Sequence, residues 1–317
     1  FFFFFFFFFL GRSAAPEPVA DSRAVRFTIE PPEGSLFPGA ANVPRFALSH
    51  DGRRIVYQLW DSKTTRLWIR SLDSLELAPV TGNESRPGGV PGGATQQPFW
   101  SPDGRFIAFF DEVTAKLKKF DLRTALTEIV TEVGSNQMAG TWSRDDTILF
   151  SAIATEGIRL VRPDGTGLRQ VTTIDTAKKE TAHLWPEFLH DGRHFIFLVT
   201  FSDDTPSALH VASVDGSPPK RLFESPTAAR SAWPDRLLVI RDNALVSQRF
   251  DLRTMQLIGE AEVISSDVAY TPAGRLGVSS AMGANVIAYA SGGTVRLGES
   301  LVTHWVDRQC VELDGAP

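Results

Sequence analysis

The chain has 317 residues, of which 43% are hydrophobic and 22% charged, and its formal net charge is −5. This suffices for a large core in one or two domains, whereas the weakly acidic balance excludes the basic surface that nucleic-acid binding requires. Cys310 is the single cysteine, so an internal disulfide is excluded as well.

The N-terminal segment is a run of phenylalanines from Phe1 to Phe9, followed by Leu-Gly-Arg. As a helix, ten apolar residues span about 15 Å, half of the roughly 30 Å hydrocarbon core of a bilayer. Two interpretations are open for residues 1–12: the remnant of a transmembrane helix, or a low-complexity artefact. Residues 13–25 have no packing pattern and are predicted to be a linker. This order favours a module tethered to a membrane through its N-terminal apolar segment.

A repeat occupies residues 26–317. Each copy has a Pro or small residue, an aromatic or apolar pair, a Ser-x-Asp-Gly-type turn and a β-rich run. The copies are PRFALSHDGRRIVY (44–57), PFWSPDGRFIAFF (98–110), GTWSRDDTILF (140–150), PEFLHDGRHFIF (186–197), and the weaker SAWPDRLLVI (231–240) and SSAMGANVIAY (279–289). They recur at intervals of about 40–50 residues, which is the repeat length of four-stranded propeller blades.

A second motif, an alternating strand that ends in Asp, follows each copy of the first. Its copies are LWIRSLD (67–73), LKKFD (117–121), IRLVRPD (158–164), LHVASVD (209–215), LVSQRFD (245–251) and VTHWVD (302–307). Two hairpins per period predict an all-β fold, a β-propeller of about six four-stranded blades or a truncated part of a larger propeller. The strand at 25–29 either closes the ring by joining the last blade or pairs with blades outside this chain.

The first-motif turns have a structural explanation. Glycine supplies the positive φ that closes a tight turn, and the aspartate can accept hydrogen bonds from nearby backbone N–H groups. We therefore expect a structural role for the turn residues of the first four copies, which are Asp51, Gly52, Asp103, Gly104, Asp145, Asp191 and Gly192. The last two copies lack the Asp-Gly pair, which predicts longer or looser turns there.

The strings PFWSPDGRFIAFF (98–110) and LWIRSLDSLE (67–76) resemble the TolB-type propeller repeat. With RFTIEPPEG (26–34), ETAHLWPEFLHDGRHF (180–195) and THWVDRQC (303–310), the chain also resembles the extracytoplasmic propeller of acidobacterial-type membrane serine/threonine protein kinases. That resemblance implies a kinase domain and one membrane helix ahead of the propeller. The chain itself has no Gly-rich loop, His-Arg-Asp or Asp-Phe-Gly kinase motif, and the family commonly continues with further repeats after the THWVD-like strand.

Propeller geometry predicts where a ligand binds. Because the chain enters each blade on its innermost strand, the short turns lie on one face of the disc and the long loops on the other, where we expect the binding site. The residues predicted to line the channel mouth there are Asn42, Gln97, Gln137, Glu180, His183, Trp185 and Arg230. In this interpretation Trp185 stacks on a ligand while His183 and Glu180 hydrogen-bond to it. The alternative is that Trp185 fills the wedge between two blades.

No motif indicates catalysis, a metal or a cofactor. His190 and His194 flank a turn and lack further ligands at zinc-site spacing, and a Gly-x-Ser-x-Gly elbow is absent. The sequence therefore predicts a non-catalytic propeller that binds an unidentified small molecule, peptide or protein, membrane-anchored and extracytoplasmic. The alternatives are a soluble periplasmic TolB-like scaffold and a propeller enzyme of the lactonase or dehydrogenase type.

Overall fold

The computed structural model describes residues 26–38, 45–61, 63–82, 98–111, 113–133, 137–152, 156–291 and 301–305. The described regular structure consists of twenty-four strands and one short 3-10 helix, Thr176–Lys178. The strands are β1 (Arg26–Ile29), β2 (Phe46–Leu48), β3 (Arg54–Trp60), β4 (Thr65–Ser71), β5 (Leu77–Pro79), β6 (Phe99–Trp100), β7 (Phe106–Asp111), β8 (Lys116–Asp121), β9 (Leu126–Glu132), β10 (Gln137–Trp142), β11 (Ile148–Ala152), β12 (Arg159–Val161), β13 (Arg169–Gln170), β14 (Glu180–Phe188), β15 (His194–Phe201), β16 (Ala208–Ser213), β17 (Lys220–Glu224), β18 (Arg230–Ala232), β19 (Arg236–Arg241), β20 (Ala244–Asp251), β21 (Gln256–Ser265), β22 (Val278–Ser280), β23 (Val286–Ala290) and β24 (Leu301–Trp305).

These strands form six four-stranded antiparallel sheets, so the prediction of an all-β propeller is confirmed. Blades 1 to 5 each use four consecutive strands: β2–β5, β6–β9, β10–β13, β14–β17 and β18–β21. Blade 6 is composite, because β1 adds to β22, β23 and β24 as its outermost strand, with Ile29 opposite Leu301. Of the two alternatives for the N-terminal strand, the structure has the one that closes the ring.

The innermost strands surround the molecular axis. β2, β6, β10, β14, β18 and β22 contact one another in that order, and β22 contacts β2 again. Each inner strand runs in the same direction, so its connection to the second strand lies on one face, here called the turn face. The connections between blades, including the 3-10 helix, lie on the opposite face, here called the long-loop face.

The apolar residues of the strands pack between neighbouring blades. In blades 2 and 3, Phe99, Phe110 and Phe150 belong to one buried cluster, and the rings of Phe110 and Phe150 lie 6.3 Å apart. Blade 6 packs on blade 1 through a separate cluster that contains Ile29 and Ile55, both fully buried. Burying one such side chain stabilises the fold by about 1.5–3 kcal/mol, so the aromatic runs of the repeat supply the blade interfaces.

The Asp-Gly turns have recurring geometry. In blade 2 the Ser101 hydroxyl donates to Asp103 Oδ1 at 2.6 Å, and Asp103 Oδ1 accepts the Arg105 N–H at 3.0 Å. Gly52, Gly104 and Gly192 all have positive φ, between 66° and 73°. Asp145 differs, because its own N–H donates to Ser143 Oγ and the following Asp146 has the positive φ of 52°.

The fifth turn departs from the expectation. Only residues 233–235 separate β18 from β19, whereas 101–105 separate the corresponding strands of blade 2. The longer turns expected for the last two copies are not found, because the fifth copy closes its hairpin with fewer residues and the sixth, with residues 281–285, uses as many as blade 2.

The described residues contain no helix with the length and hydrophobicity to cross a membrane. The segments at 1–12 and 13–25, predicted to be a membrane remnant and a linker, lie outside the described residues.

Candidate functional site

One residue of each inner strand occupies an equivalent position on the channel. Each of these residues is paired with the second strand of its own blade, as Phe99 lies opposite Ala108 and Glu187 opposite Ile196. All six line an axial cavity of about 120 Å³. We call this set the channel ring; its members are Ala47, Phe99, Thr141, Glu187, Arg230 and Ser279.

Polar side chains of the channel ring hold the backbone of the next blade. Ser279 Oγ accepts the Leu48 N–H at 3.0 Å, which joins blade 6 to blade 1. Thr141 Oγ1 lies 3.5 Å from the Phe188 nitrogen, and Glu187 Oε1 lies 3.4 Å from the Ser231 nitrogen. The exposed edge of an inner strand carries backbone groups that need partners, and the ring satisfies several of them.

Glu187 and Arg230 are the charged pair of the channel ring. The Arg230 Nη1 lies 3.3 Å from Glu187 Oε2, and Arg230 Nε donates to the Val278 carbonyl at 3.2 Å. Their side chains are 11% (Arg230) and 17% (Glu187) exposed. Burial raises the pKa of Glu187, an effect that the Arg230 charge opposes. The ring is therefore polar on blades 3 to 6 and apolar at Ala47 and Phe99.

Of the residues predicted from sequence, Glu180 and His183 lie together but away from the cavity. His183 is 2% exposed; its Nε2 lies 3.0 Å from Glu180 Oε2 and its Nδ1 lies 2.8 Å from Thr172 Oγ1. Thr172 Oγ1 also accepts the Ile158 N–H, so its own proton is directed at Nδ1 and Nε2–H donates to Glu180. Burial lowers the pKa of His183, which favours this neutral form. The arrangement ties blade 3 to blade 4.

Trp185 is 3% exposed and lies between blade 4 and the chain segment that precedes blade 6. Its indole Nε1–H donates to the Ala273 carbonyl at 3.0 Å. The Trp185 side chain is therefore buried in contacts with the protein itself. Among the other predicted residues, Arg230 lies in the channel ring, Gln137 begins β10, and Asn42 and Gln97 lie outside the described residues.

Sequence reasoning missed Glu187, Thr141 and Ser279. A sequence signal for them exists, because each stands at the same distance before the first-motif turn of its copy. Glu187 lies in PEFLHDG, Thr141 in GTWSRDD, and Ser279 is the first residue of SSAMGAN. Aligning the copies on the turn instead of on the start of the inner strand would have grouped them. Within the described residues no three His, Cys, Asp or Glu side chains are grouped to hold a metal ion.

Comparisons with known proteins agree on the fold. No protein-family model matches the chain, and no curated protein matches it. TolB from Acinetobacter baumannii is similar in structure, with a TM-score of 0.51 at 13% identity over 65% of this chain and 51% of that one. The chain thus spans about half the length of that TolB.

Two further solved structures have the same architecture. A chain of the nidogen/laminin complex has a TM-score of 0.52 at 11% identity, over 75% of this chain and 93% of that one. Oligogalacturonate lyase from Vibrio parahaemolyticus has a TM-score of 0.50 at 10% identity, over 90% of this chain and 99% of that one. At such identities the likeness shows the β-propeller fold alone, and it includes the TolB propellers that the repeat resembles.

Proposed function

We propose that this propeller is a non-catalytic binding module whose ligand, a small polar molecule or the end of a peptide, binds in the axial channel. The observation that carries the proposal is the channel ring, in which Thr141, Glu187, Arg230 and Ser279 face a common cavity. Concave sites with a few convergent polar groups are where proteins commonly hold small ligands.

The engagement of the titratable groups favours binding over catalysis. Glu187 is paired with Arg230 and also accepts a backbone N–H, and both ring nitrogens of the buried His183 have partners. A general base needs a lone pair within reach of substrate, and these groups direct theirs at the protein. Metal-dependent turnover by the purified chain that disappears in His183→Ala would contradict this part of the proposal.

The resemblance of the repeat to kinase-linked propellers extends the proposal: the module senses its ligand outside the cytoplasm, anchored to a membrane, for a serine/threonine kinase. The alternative is a soluble periplasmic scaffold of the TolB kind that binds a protein. The coding sequence on either side of this chain distinguishes them. We expect a kinase domain and a complete apolar span; a continuous reading frame with neither would contradict the kinase connection.

The channel is tested by thermal-shift screening of the purified chain against a library of small polar metabolites. A ligand that raises the melting temperature should lose at least tenfold in affinity, about 1.4 kcal/mol, in Thr141→Val, which removes one ring hydroxyl at constant shape. Thr131→Val, on the outer strand of blade 2, is the matched control. Trp185→Phe tests the site predicted from sequence: a loss of ligand response there, with Thr141→Val unaffected, would contradict the channel assignment.

A further inference from the structure

A second cavity lies at the rim of the propeller, between the outermost strand of blade 4 and the outer hairpin of blade 5. We call it the rim groove; β17 forms one wall, and Arg241, Phe250 and residues 255–257 form the other. Its volume is about 490 Å³, against about 120 Å³ for the axial cavity, and the two have no lining residue in common. The rim groove therefore has the size of a ligand site and is separate from the channel ring.

The walls of the rim groove are apolar and incompletely covered. Leu222, Phe223, Met255 and Leu257 are half-buried and pack against the core cluster of blades 4 and 5. Burying apolar surface stabilises a complex by about 25 cal/mol per Å², so an apolar side chain that enters the groove gains free energy. The flexible side chain of Met255 can adapt to the shape of such a partner.

The matching turn of blade 2 has a different contact at the same place. The turn 251–257 reads DLRTMQL, whereas that of blade 2 reads DLRTALT, with Thr127 at the position of Leu257. Thr127 Oγ1 donates to the Thr81 carbonyl at 2.6 Å, which joins blade 2 directly to blade 1. Leu257 has no hydroxyl to make such a bond, and it lines the rim groove instead. The repeat therefore allows a direct contact between blades where blades 4 and 5 have an apolar groove.

Cations lie at both ends of the rim groove. Lys220 begins β17 on the turn-face side, and Arg241 ends β19 on the long-loop side. Lys220 Nζ donates to a backbone carbonyl at 3.3 Å and Arg241 Nη2 to a side-chain amide oxygen at 3.2 Å, so neither of these partners balances the positive charge. Between them, Arg221 pairs with Glu224 at 3.1 Å. Three cations and one carboxylate thus line the groove, a net charge of +2 on a chain whose formal net charge is −5.

We propose that the rim groove binds an extended acidic segment of a partner protein, whose apolar side chains enter the groove while its carboxylates pair with Lys220 and Arg241. The five residues of β17 extend over about 16 Å, so a segment of about five residues reaches both cations. Carboxylates on either side of apolar residues match both the charge and the apolar walls of the groove, and such complementarity determines the choice of partner. The site is independent of the ligand proposed for the channel.

Selection of a displayed library of random heptapeptides on the purified full chain tests the proposal, and fluorescence anisotropy then measures the affinity of the enriched peptides. We expect these peptides to carry at least two carboxylates around apolar residues and to bind more weakly as salt increases. Lys220→Glu and Arg241→Glu should each lower the affinity at least tenfold, because they place a negative charge beside the peptide carboxylates. Lys63→Glu, at an exposed position of blade 1, is the matched control and should keep the affinity. Enriched peptides without acidic residues, or no enrichment at all, would overturn the proposal.

The apolar wall is tested with residue types that blade 2 already has at the same positions. Met255 has a φ of 53° and its counterpart Ala125 a φ of 55°, so Met255→Ala keeps the backbone conformation of the turn. We expect Met255→Ala and Leu257→Thr to melt as one transition like the wild type and to bind the enriched peptides at least tenfold more weakly. Leu126→Gln, an exposed change on the outer strand of blade 2, should leave the affinity unchanged. Full binding by both groove variants would overturn the proposal, as would a loss of binding in Thr141→Val, which would place the peptide in the channel.

Discussion

Asp121 illustrates how single side chains fasten the turn face. It ends β8, and Arg105, just after the Asp-Gly turn of the same blade, donates to its Oδ2 at 2.5 Å. Asp121 Oδ1 also accepts the Arg123 N–H at 2.8 Å. Arg193 and Asp215 make the same link in blade 4, at 2.6 Å. In blades 2 and 4 the aspartate that ends the second motif therefore connects the two hairpins of the blade.

The hydrogen bond from Arg105 lowers the pKa of Asp121 from 3.8 to about 2. In the window between these values the unfolded chain binds more protons than the folded one, so the link stabilises the fold above pH 3.8 and is lost as the pH falls toward 2. We expect Asp121→Asn to melt below the wild type near pH 6 and to approach it near pH 2. Thermal melts across this range measure the difference, with Asp204→Asn in an exposed loop as control. A difference that does not change with pH would contradict the assignment.

The first-motif turns are the most local part of the repeat, because a Ser-x-Asp-Gly string specifies its own backbone geometry. The channel site was harder to predict. His183 stands at the start of β14, but β14 has a register shift between Leu184 and Glu187, and Trp185 there has a φ of 57°. The sequence pattern contains no signal for that bulge, since positive φ is unusual for tryptophan. Glu187 follows the bulge and lies in the channel ring, whereas His183 precedes it and is buried against Thr172 and Glu180.

At the scale of elements, blade 4 contacts the segment that leads into blade 6 through Gly274. That glycine has a φ of 78°, and a Cβ placed on it would lie 2.3 Å from Leu198 Cδ2 and 3.7 Å from Trp185 Nε1. The Ala228 N–H donates to its carbonyl at 2.8 Å. The tight approach explains how Trp185 reaches the Ala273 carbonyl.

Gly274→Ala should destabilise the fold by about 2–4 kcal/mol, of which about 1 kcal/mol comes from the backbone conformation and the rest from the collision. Gly216→Ala separates the two effects, because Gly216 has a φ of 83° and a Cβ added there would have no atom within 4 Å. We expect the control to lose only about 1 kcal/mol. Chemical denaturation measures both. If both variants lost the same free energy of unfolding, the Leu198 side chain would be moving aside for the added Cβ at no energetic cost.

The regular elements themselves were predictable, because two alternating hairpins per period leave little choice of secondary structure. The contacts between elements could not be predicted in the same way. The pairing of Arg230 with Glu187 joins two blades across an interval that no local pattern spans. Arg45 and Arg275 are likewise buried, and the sequence pattern gives no sign of that burial.

At the scale of the whole molecule, ring closure depends on β1. Ile29 is fully buried in the cluster that joins blade 6 to blade 1, and it pairs with Leu301 of β24. The repeat predicted the propeller, but it left the partner of this strand open, because strand pairing between distant segments has no short-range signature.

Ile29→Ala should cost about 2–5 kcal/mol, since the cavity it leaves lies in a packed interface. Because the ring is one closed set of blades, we expect the variant to lower the single melting transition of the whole protein. Thr28→Ala, at an exposed position of the same strand, should change stability by less than about 0.5 kcal/mol. Differential scanning calorimetry gives the result. A separate transition at lower temperature, from blade 6 alone, would contradict the expectation that the closed ring unfolds as one cooperative unit.

The composite blade also sets an order of events in the cell. A ribosome adds about 5–20 residues per second, so on the order of tens of seconds pass between the synthesis of β1 and that of β24, its only described pairing partner. During that time blades 1 to 5 can form from their own strands, while β1 remains an unpaired β-segment. An unpaired strand can associate with other chains, so this interval is when the nascent protein is most exposed to aggregation.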